Sequence, residues 1–142
     1  MIDQPKTTRL LERLRAYVAE LRRLGAIPAD AFLADPDKVG NAKYHFVVAI
    51  EACIDLANHV IAAEGFRTPK DNADTFTVLV EHGAVEDSLE QPLRSMARFR
   101  NRLVHLYWDV DDGLVCEYLA EDSLSDLERF AKAIADFSVG SV

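Results

Sequence analysis

The chain has 142 residues, 49% of them apolar, which excludes a disordered segment and provides enough chain for one domain with one core. Its formal charge of −8 argues against a nucleic-acid coat, although a local basic stripe can still act within an acidic whole. The two cysteines, Cys53 and Cys116, lack CxxC or zinc spacing, so neither a disulfide framework nor a zinc site is expected. The N-terminal stretch has no apolar signal core, and charged residues interrupt the long apolar runs. The expectation is a soluble, cytoplasmic, single-domain protein over residues 1–142, with no membrane partner.

Few Gly and Pro and many Ala, Leu, Val, Arg and Glu favour helix throughout. Thr7–Leu24 reads as the first amphipathic helix, with Leu10, Leu14, Tyr17, Val18, Leu21 and Leu24 at helical spacing, Thr7 or Thr8 as its cap and Gly25 at its end. A short turn with Asp30 as cap follows the break at Ile27-Pro28. Lys38–Glu64 is the longest predicted helix. Its apolar residues, among them Tyr44, Val47, Ile50, Ile54 and Ile61, cover more than one face, which implies a central helix or a subunit interface.

Asp71–Glu81 is a short helix closed by Gly83, and Asp87–Trp108 is the next, started or kinked at Pro92. Leu114–Tyr118 reads as a brief extended piece. Ser123 then caps a last helix over 124–137. The predicted fold is all-α, an up-down bundle of four or five helices, with Ala49, Ile50, Ile54, Leu103 and Leu106 among the buried residues. The surplus apolar face of the long helix predicts a homodimer.

Chemistry concentrates in the 94–108 stretch. At about 100° per residue, Arg94, Arg98, Asn101, Arg102 and His105 share one stripe, while Met96, Phe99, Leu103 and Leu106 fill a core-facing one. Four arginines alone would read as a solvated face. A histidine among Arg and Asn adds what metal-free RNA cleavage needs: a group to move the proton of a 2′-hydroxyl near neutral pH, and planar cations to stabilise charge on the phosphoryl oxygens. Tyr107 is placed to stack on a base or donate to phosphate. Trp108 is open between packing and stacking on RNA.

Arg100-Asn101-Arg102-Leu103-Val104-His105-Leu106-Tyr107 resembles the Arg-x-x-x-x-His-x-Tyr signature of the HepT-like HEPN ribonucleases. Ile54-Asp55-Leu56-Ala57-Asn58-His59, Arg67-Thr68-Pro69, the length and the helix count also resemble that family. The resemblance implies a homodimer with a cleft between protomers, metal-independent cleavage of tRNA or mRNA, and a minimal nucleotidyltransferase antitoxin that adds AMP to the motif tyrosine. It implies Arg100 and His105 as catalytic residues, Asn101 as support and Tyr107 as the modification site. Arg100 and His105, five apart, lie about 140° apart on a straight helix, so a distorted helix end or a second protomer must bring them to one phosphate.

Arg102 is His105's neighbour at i, i+3 and a supporting residue. Asp55, Asn58 and His59 have two readings, a place at the cleft orienting His105 or binding RNA, and a local helix pair at a polar interface. No metal or cofactor is expected: the four histidines lack zinc spacing and no Glu-x-x-His pair occurs. Two functions remain open on these residues, an RNase toxin and a non-catalytic helical dimer serving as accessory module to a nucleotidyltransferase.

Overall fold

A computed structural model describes residues 2–140, and every regular element among them is helical. Seven α-helices take the place of the four or five predicted: α1 Gln4–Gly25, α2 Ala29–Leu33, α3 Pro36–Glu64, α4 Asn72–Glu81, α5 Glu90–His105, α6 Asp112–Tyr118 and α7 Glu121–Gly140. Short 3₁₀ turns at Asp87–Leu89 and Tyr107–Asp109 bracket α5.

The helix starts follow local capping chemistry. Asp3 accepts from the Lys6 N–H, so α1 begins before Thr7, and Thr7 instead donates its hydroxyl to the Asp3 carbonyl within the helix. Asp35 caps α3 with Pro36 in the first turn, two residues ahead of the predicted start. Asp111 accepts from the Gly113 N–H and starts α6, so Leu114–Tyr118 is helical rather than extended. The short α2 begins after Pro28, not at an Asp30 cap. Gly65, at φ 70°, ends α3 in the left-handed conformation that glycine adopts without strain.

Helix α3 is the spine. It packs on all six other helices, and its residues Phe46, Ala49, Ile50, Leu56, Ala57 and Val60 are buried. By length and composition it is apolar enough to cross a membrane, but 56% of its most apolar window is buried inside the fold. Most of the apolar residues that predicted a central helix are thus core-facing, while Tyr44 is left exposed. Ala49, Ile50, Ile54 and Leu103 are buried as expected, whereas Leu106 is 43% exposed. Cys53 is buried, and burial pushes its thiol far above the ordinary range.

The link from α3 to α4 is pinned by charge. Arg67 donates to Asp74 Oδ2 at 2.7 Å and to Glu81 Oε1 at 2.9 Å, and the Lys70 N–H reaches Asp74 Oδ2 at 2.9 Å. The guanidinium, then the backbone N–H, hold the Asp74 carboxyl well below the usual carboxylate range. A depressed carboxylate stabilises the fold above its unfolded pKa, and that stabilisation is lost as pH falls toward the folded one. Asp74→Asn is therefore expected to lower the urea midpoint at neutral pH. The difference from wild type should vanish as the pH falls below the ordinary carboxylate range, and a constant difference would assign Asp74 a purely steric role.

Candidate functional site

Helix α5 carries two unlike faces. Leu93, Met96, Ala97, Phe99 and Leu103 are buried, and Arg100 lies on their side of the helix with only 19% of its side chain exposed. It is therefore apart from the exposed stripe of Arg98, Arg102 and His105. Its Nη2 donates to Glu51 Oε1 on α3 at 2.8 Å, and its Nη1 donates to Asn101 Oδ1 at 3.0 Å. Asn101 is fixed in turn by Asn72 Nδ2 at 3.3 Å, across the packed α4–α5 interface. The Arg100 Nε is buried with no hydrogen-bond partner among the described residues. Glu51 is 41% exposed, so a phosphate arriving from solvent can take over its bonds to the guanidinium.

Glu51 escaped the sequence reading. It is a lone acid in the apolar run Phe46–Ile54, one helical turn before Asp55, and that isolation was the available signal.

His105 is the last residue of α5. It is exposed and has no hydrogen bond or ion pair among the described residues, so its ring is available to a substrate. Leu106 then leaves helical geometry at φ −135°, ψ 42°, its N–H donating to the Arg102 carbonyl at 2.8 Å. This break explains the exposed Leu106 and moves Tyr107 off the α-helix into the 3₁₀ turn. Tyr107 is 49% exposed, and Lys43 Nζ of α3 stands 4.5 Å from its ring centroid. Trp108 is 79% exposed, which excludes packing within the chain as its role.

The arginines of the stripe diverge. Arg94 donates to Thr77 Oγ1 at 2.7 Å, toward α4. Arg98 and Arg102 border a groove of about 200 Å³ floored by Phe99 and Tyr118, whose rings stack 4.2 Å apart. Arg102 reaches the Asp109 carbonyl only at 3.5 Å.

Asp55, Asn58 and His59 line a separate groove of about 370 Å³ with Lys6, Leu10 and Ala62. His59 Nε2 accepts from the Asp3 N–H at 3.0 Å, and within one chain no hydrogen bond joins these three residues to His105. Burial, then the neighbouring Lys6 cation, lowers the His59 pKa. Burial, then the charge of Glu51, raises that of Asp55, with Lys6 and Arg100 opposing. Asp55 therefore lies within the electrostatic reach of Arg100. No cluster of three or more His, Cys, Asp or Glu side chains fit to hold a metal occurs among the described residues.

The arrangement is a cation held ready by an exchangeable carboxylate, an unpartnered imidazole at the end of the same helix and an exposed phenol in the following turn. A profile of the family described as ribonuclease HepT-like matches residues 14–134. The mRNA nuclease HepT of Shewanella oneidensis is 32% identical over 84 residues, 59% of this chain and 62% of that relative's length. Among solved structures, the tri-AMPylated Shewanella oneidensis HEPN toxin in complex with MNT antitoxin shares the fold at a TM-score of 0.83 and 22% identity, covering 92% of this chain and 96% of that one. YutE, a cytosolic protein from Bacillus subtilis, does so at 0.85 and 20% identity, over 99% of this chain and 94% of the other. With the profile match running from α1 into α7, the chain belongs to the ribonuclease HepT-like family.

Proposed function

We propose that this chain is a metal-independent endoribonuclease, the toxin of a toxin–antitoxin pair, acting in the cytoplasm on tRNA or mRNA. The observation that carries the reading is the pairing of Arg100, poised on Glu51, with an unpartnered His105 inside the family's Arg-x-x-x-x-His-x-Tyr motif. In the reaction the RNA 2′-hydroxyl attacks the adjacent phosphorus and the bond to the 5′-oxygen breaks. His105 handles the proton in transit. Arg100, freed from Glu51, bonds the phosphoryl oxygens as charge builds there, with Asn101 fixing its plane and Arg102 contacting the strand. Asp55, Asn58 and His59 contribute a second RNA-contacting groove.

The test is RNA cleavage by the purified chain in excess chelator. Full activity is expected, because no step uses a metal. Strict dependence on a divalent ion would overturn the mechanism, and tight antitoxin binding without any cleavage would identify a non-catalytic accessory module.

The active unit is a homodimer. Val104, Leu106 and Trp108 are large apolar residues left exposed within the 104–108 stretch around His105. A two-fold partner covering them would bring a second motif beside the first and answer the angular separation of Arg100 and His105. Light scattering at micromolar concentration should give twice the chain mass, and Trp108→Glu should return the monomer. A wild-type monomer would refute the shared cleft.

The antitoxin is a minimal nucleotidyltransferase that transfers AMP from ATP to Tyr107. The added phosphates would occupy the arginines that otherwise bind RNA.

A further inference from the structure

Lysine is rarely buried unless paired. Lys43, on the spine helix α3, has 10% of its side chain exposed, and its Nζ lies 3.2 Å from Asp112 Oδ1 in the first turn of α6. The same Nζ stands over the face of Tyr107, 4.5 Å from the ring centroid. The lysine is thus clamped between a carboxylate and an aromatic ring. An ammonium has three donors, and a carboxylate and a ring face leave one for a further acceptor.

The four tyrosines differ in this respect. Tyr17 and Tyr118 are partly buried. Tyr44, 59% exposed, is more accessible than Tyr107, but its ring meets that of His45 edge-on at 5.1 Å, and no cation stands over its ring among the described residues. Exposure alone would favour Tyr44 as a nucleotidyl acceptor. The lysine distinguishes Tyr107.

We propose that Lys43 is the positioning residue for nucleotidyl transfer to Tyr107 and, once transfer has occurred, the cation that receives the new phosphodiester. The inference rests on the reading of Tyr107 as the modification site. In the free chain the Lys43 ammonium fixes the ring of a tyrosine that lies in a short turn beyond the helix, leaving its exposed side to the transferase. In the transfer, Tyr107 Oη forms a bond to the α-phosphorus of ATP. The bond from that phosphorus to the oxygen bridging to the β-phosphate breaks, pyrophosphate leaves with the electron pair, and the phenolic proton passes to solvent. The product carries an anionic phosphodiester one bond from the phenol oxygen. Lys43 can turn its free donor to it without giving up Asp112, and a charge-assisted bond then holds the nucleotide against the fold.

The experiment follows AMP addition by intact mass, with the full chain, its cognate nucleotidyltransferase and ATP, for wild type, Lys43→Met, Lys43→Arg, Asp112→Asn, Tyr44→Phe and Tyr107→Phe. Lys43→Met should slow AMP addition about tenfold, Lys43→Arg should recover most of it, and Tyr44→Phe should match wild type. A second readout separates positioning from mere packing: a phosphodiesterase should strip AMP faster from modified Lys43→Met than from modified wild type. RNA cleavage by the unmodified variant should remain at the wild-type rate, which also reports its folding. Should Lys43→Met fail to fold, Asp112→Asn, changed at a half-exposed site, releases the ammonium and should slow transfer in the same direction. Tyr107→Phe that still accepts AMP, or a wild-type chain that accepts none, would overturn the modification reading itself. Tyr107→Phe that accepts none, beside a Lys43→Met or Asp112→Asn modified and stripped at wild-type rates, would overturn the role of Lys43 alone.

Discussion

His105→Ala is expected to lower RNA cleavage by about 10²–10⁴, the usual loss when a positioned proton-transfer group is removed. The melting temperature should hardly move, because His105 is exposed at the end of α5 with no partner among the described residues. Arg100→Ala should lower cleavage comparably for a different reason. It removes the planar cation from the phosphate and leaves Glu51, 41% exposed, to be hydrated again. Arg100→Lys should not restore the activity, since an ammonium cannot offer the two parallel bonds that a guanidinium does. Single-turnover gel assays on one oligoribonucleotide decide the matter. Wild-type cleavage by His105→Ala would remove the imidazole from the mechanism.

Phe46→Ala should be the most damaging change to the fold, costing about 3–5 kcal/mol of a domain stability typically about 5–15 kcal/mol. Phe46 is fully buried on α3, edge-on to Phe99 at 5.4 Å and to Tyr118 at 6.2 Å. Phe99 directly precedes Arg100, and Glu51 lies five residues beyond Phe46. The same aromatic cluster thus sets the spacing of α3 against α5 on which the Glu51–Arg100 bond depends. Urea denaturation should show the loss, and Arg100-dependent cleavage should fall even where the variant remains folded. A midpoint close to wild type would mean that the three rings do not pack as a unit.

Most of the helices could be read from periodicity because the apolar residues that set it are the ones that meet in the core: Leu14, Val18 and Leu21 on α1, Ile50 and Ile54 on α3. Errors gathered at the ends. Asp3 and Asp35 each precede or adjoin a proline in a helix's first turn, a start signal that outweighs the first periodic leucine or valine. Leu114–Tyr118 is too short for its periodicity to separate strand from helix, and the Asp111 cap decides it. Leu106 continued the core stripe on paper, yet the chain breaks from the helix at that residue.

Of the proposed site, Arg100, Asn101, His105 and Tyr107 lie within eight consecutive positions, and the resemblance to the family motif singled them out, whereas helical spacing grouped only Asn101 and His105 with Arg94, Arg98 and Arg102. Glu51 lies 49 residues from Arg100, and only the packing of α3 on α5 joins them. Lys43 is likewise brought to Tyr107 by tertiary structure alone. The helix that looked apolar enough for a membrane carries both residues, as well as Asp55, Asn58 and His59. Of these, Glu51 holds Arg100 and Asp55, Asn58 and His59 line a groove, whereas Lys43 meets Asp112 and Tyr107 and lies outside the proposed RNA-cleaving machinery.

An arginine already neutralised by its own glutamate projects little field into solvent. With a net charge of −8 the chain as a whole repels a polyanion, and Arg100 does nothing at a distance to reverse that. The exposed Arg98 and Arg102, with no carboxylate partner among the described residues, are the cations that the proposed mechanism leaves to steer the strand inward. That division makes capture sensitive to ionic strength, because steering charges are screened beyond a Debye length of about 8 Å in physiological salt. In the proposed mechanism Arg100 enters only at contact, where the phosphate displaces Glu51, and short-range bonds to a largely buried guanidinium are screened far less. Added salt should accordingly weaken KM while leaving kcat nearly intact.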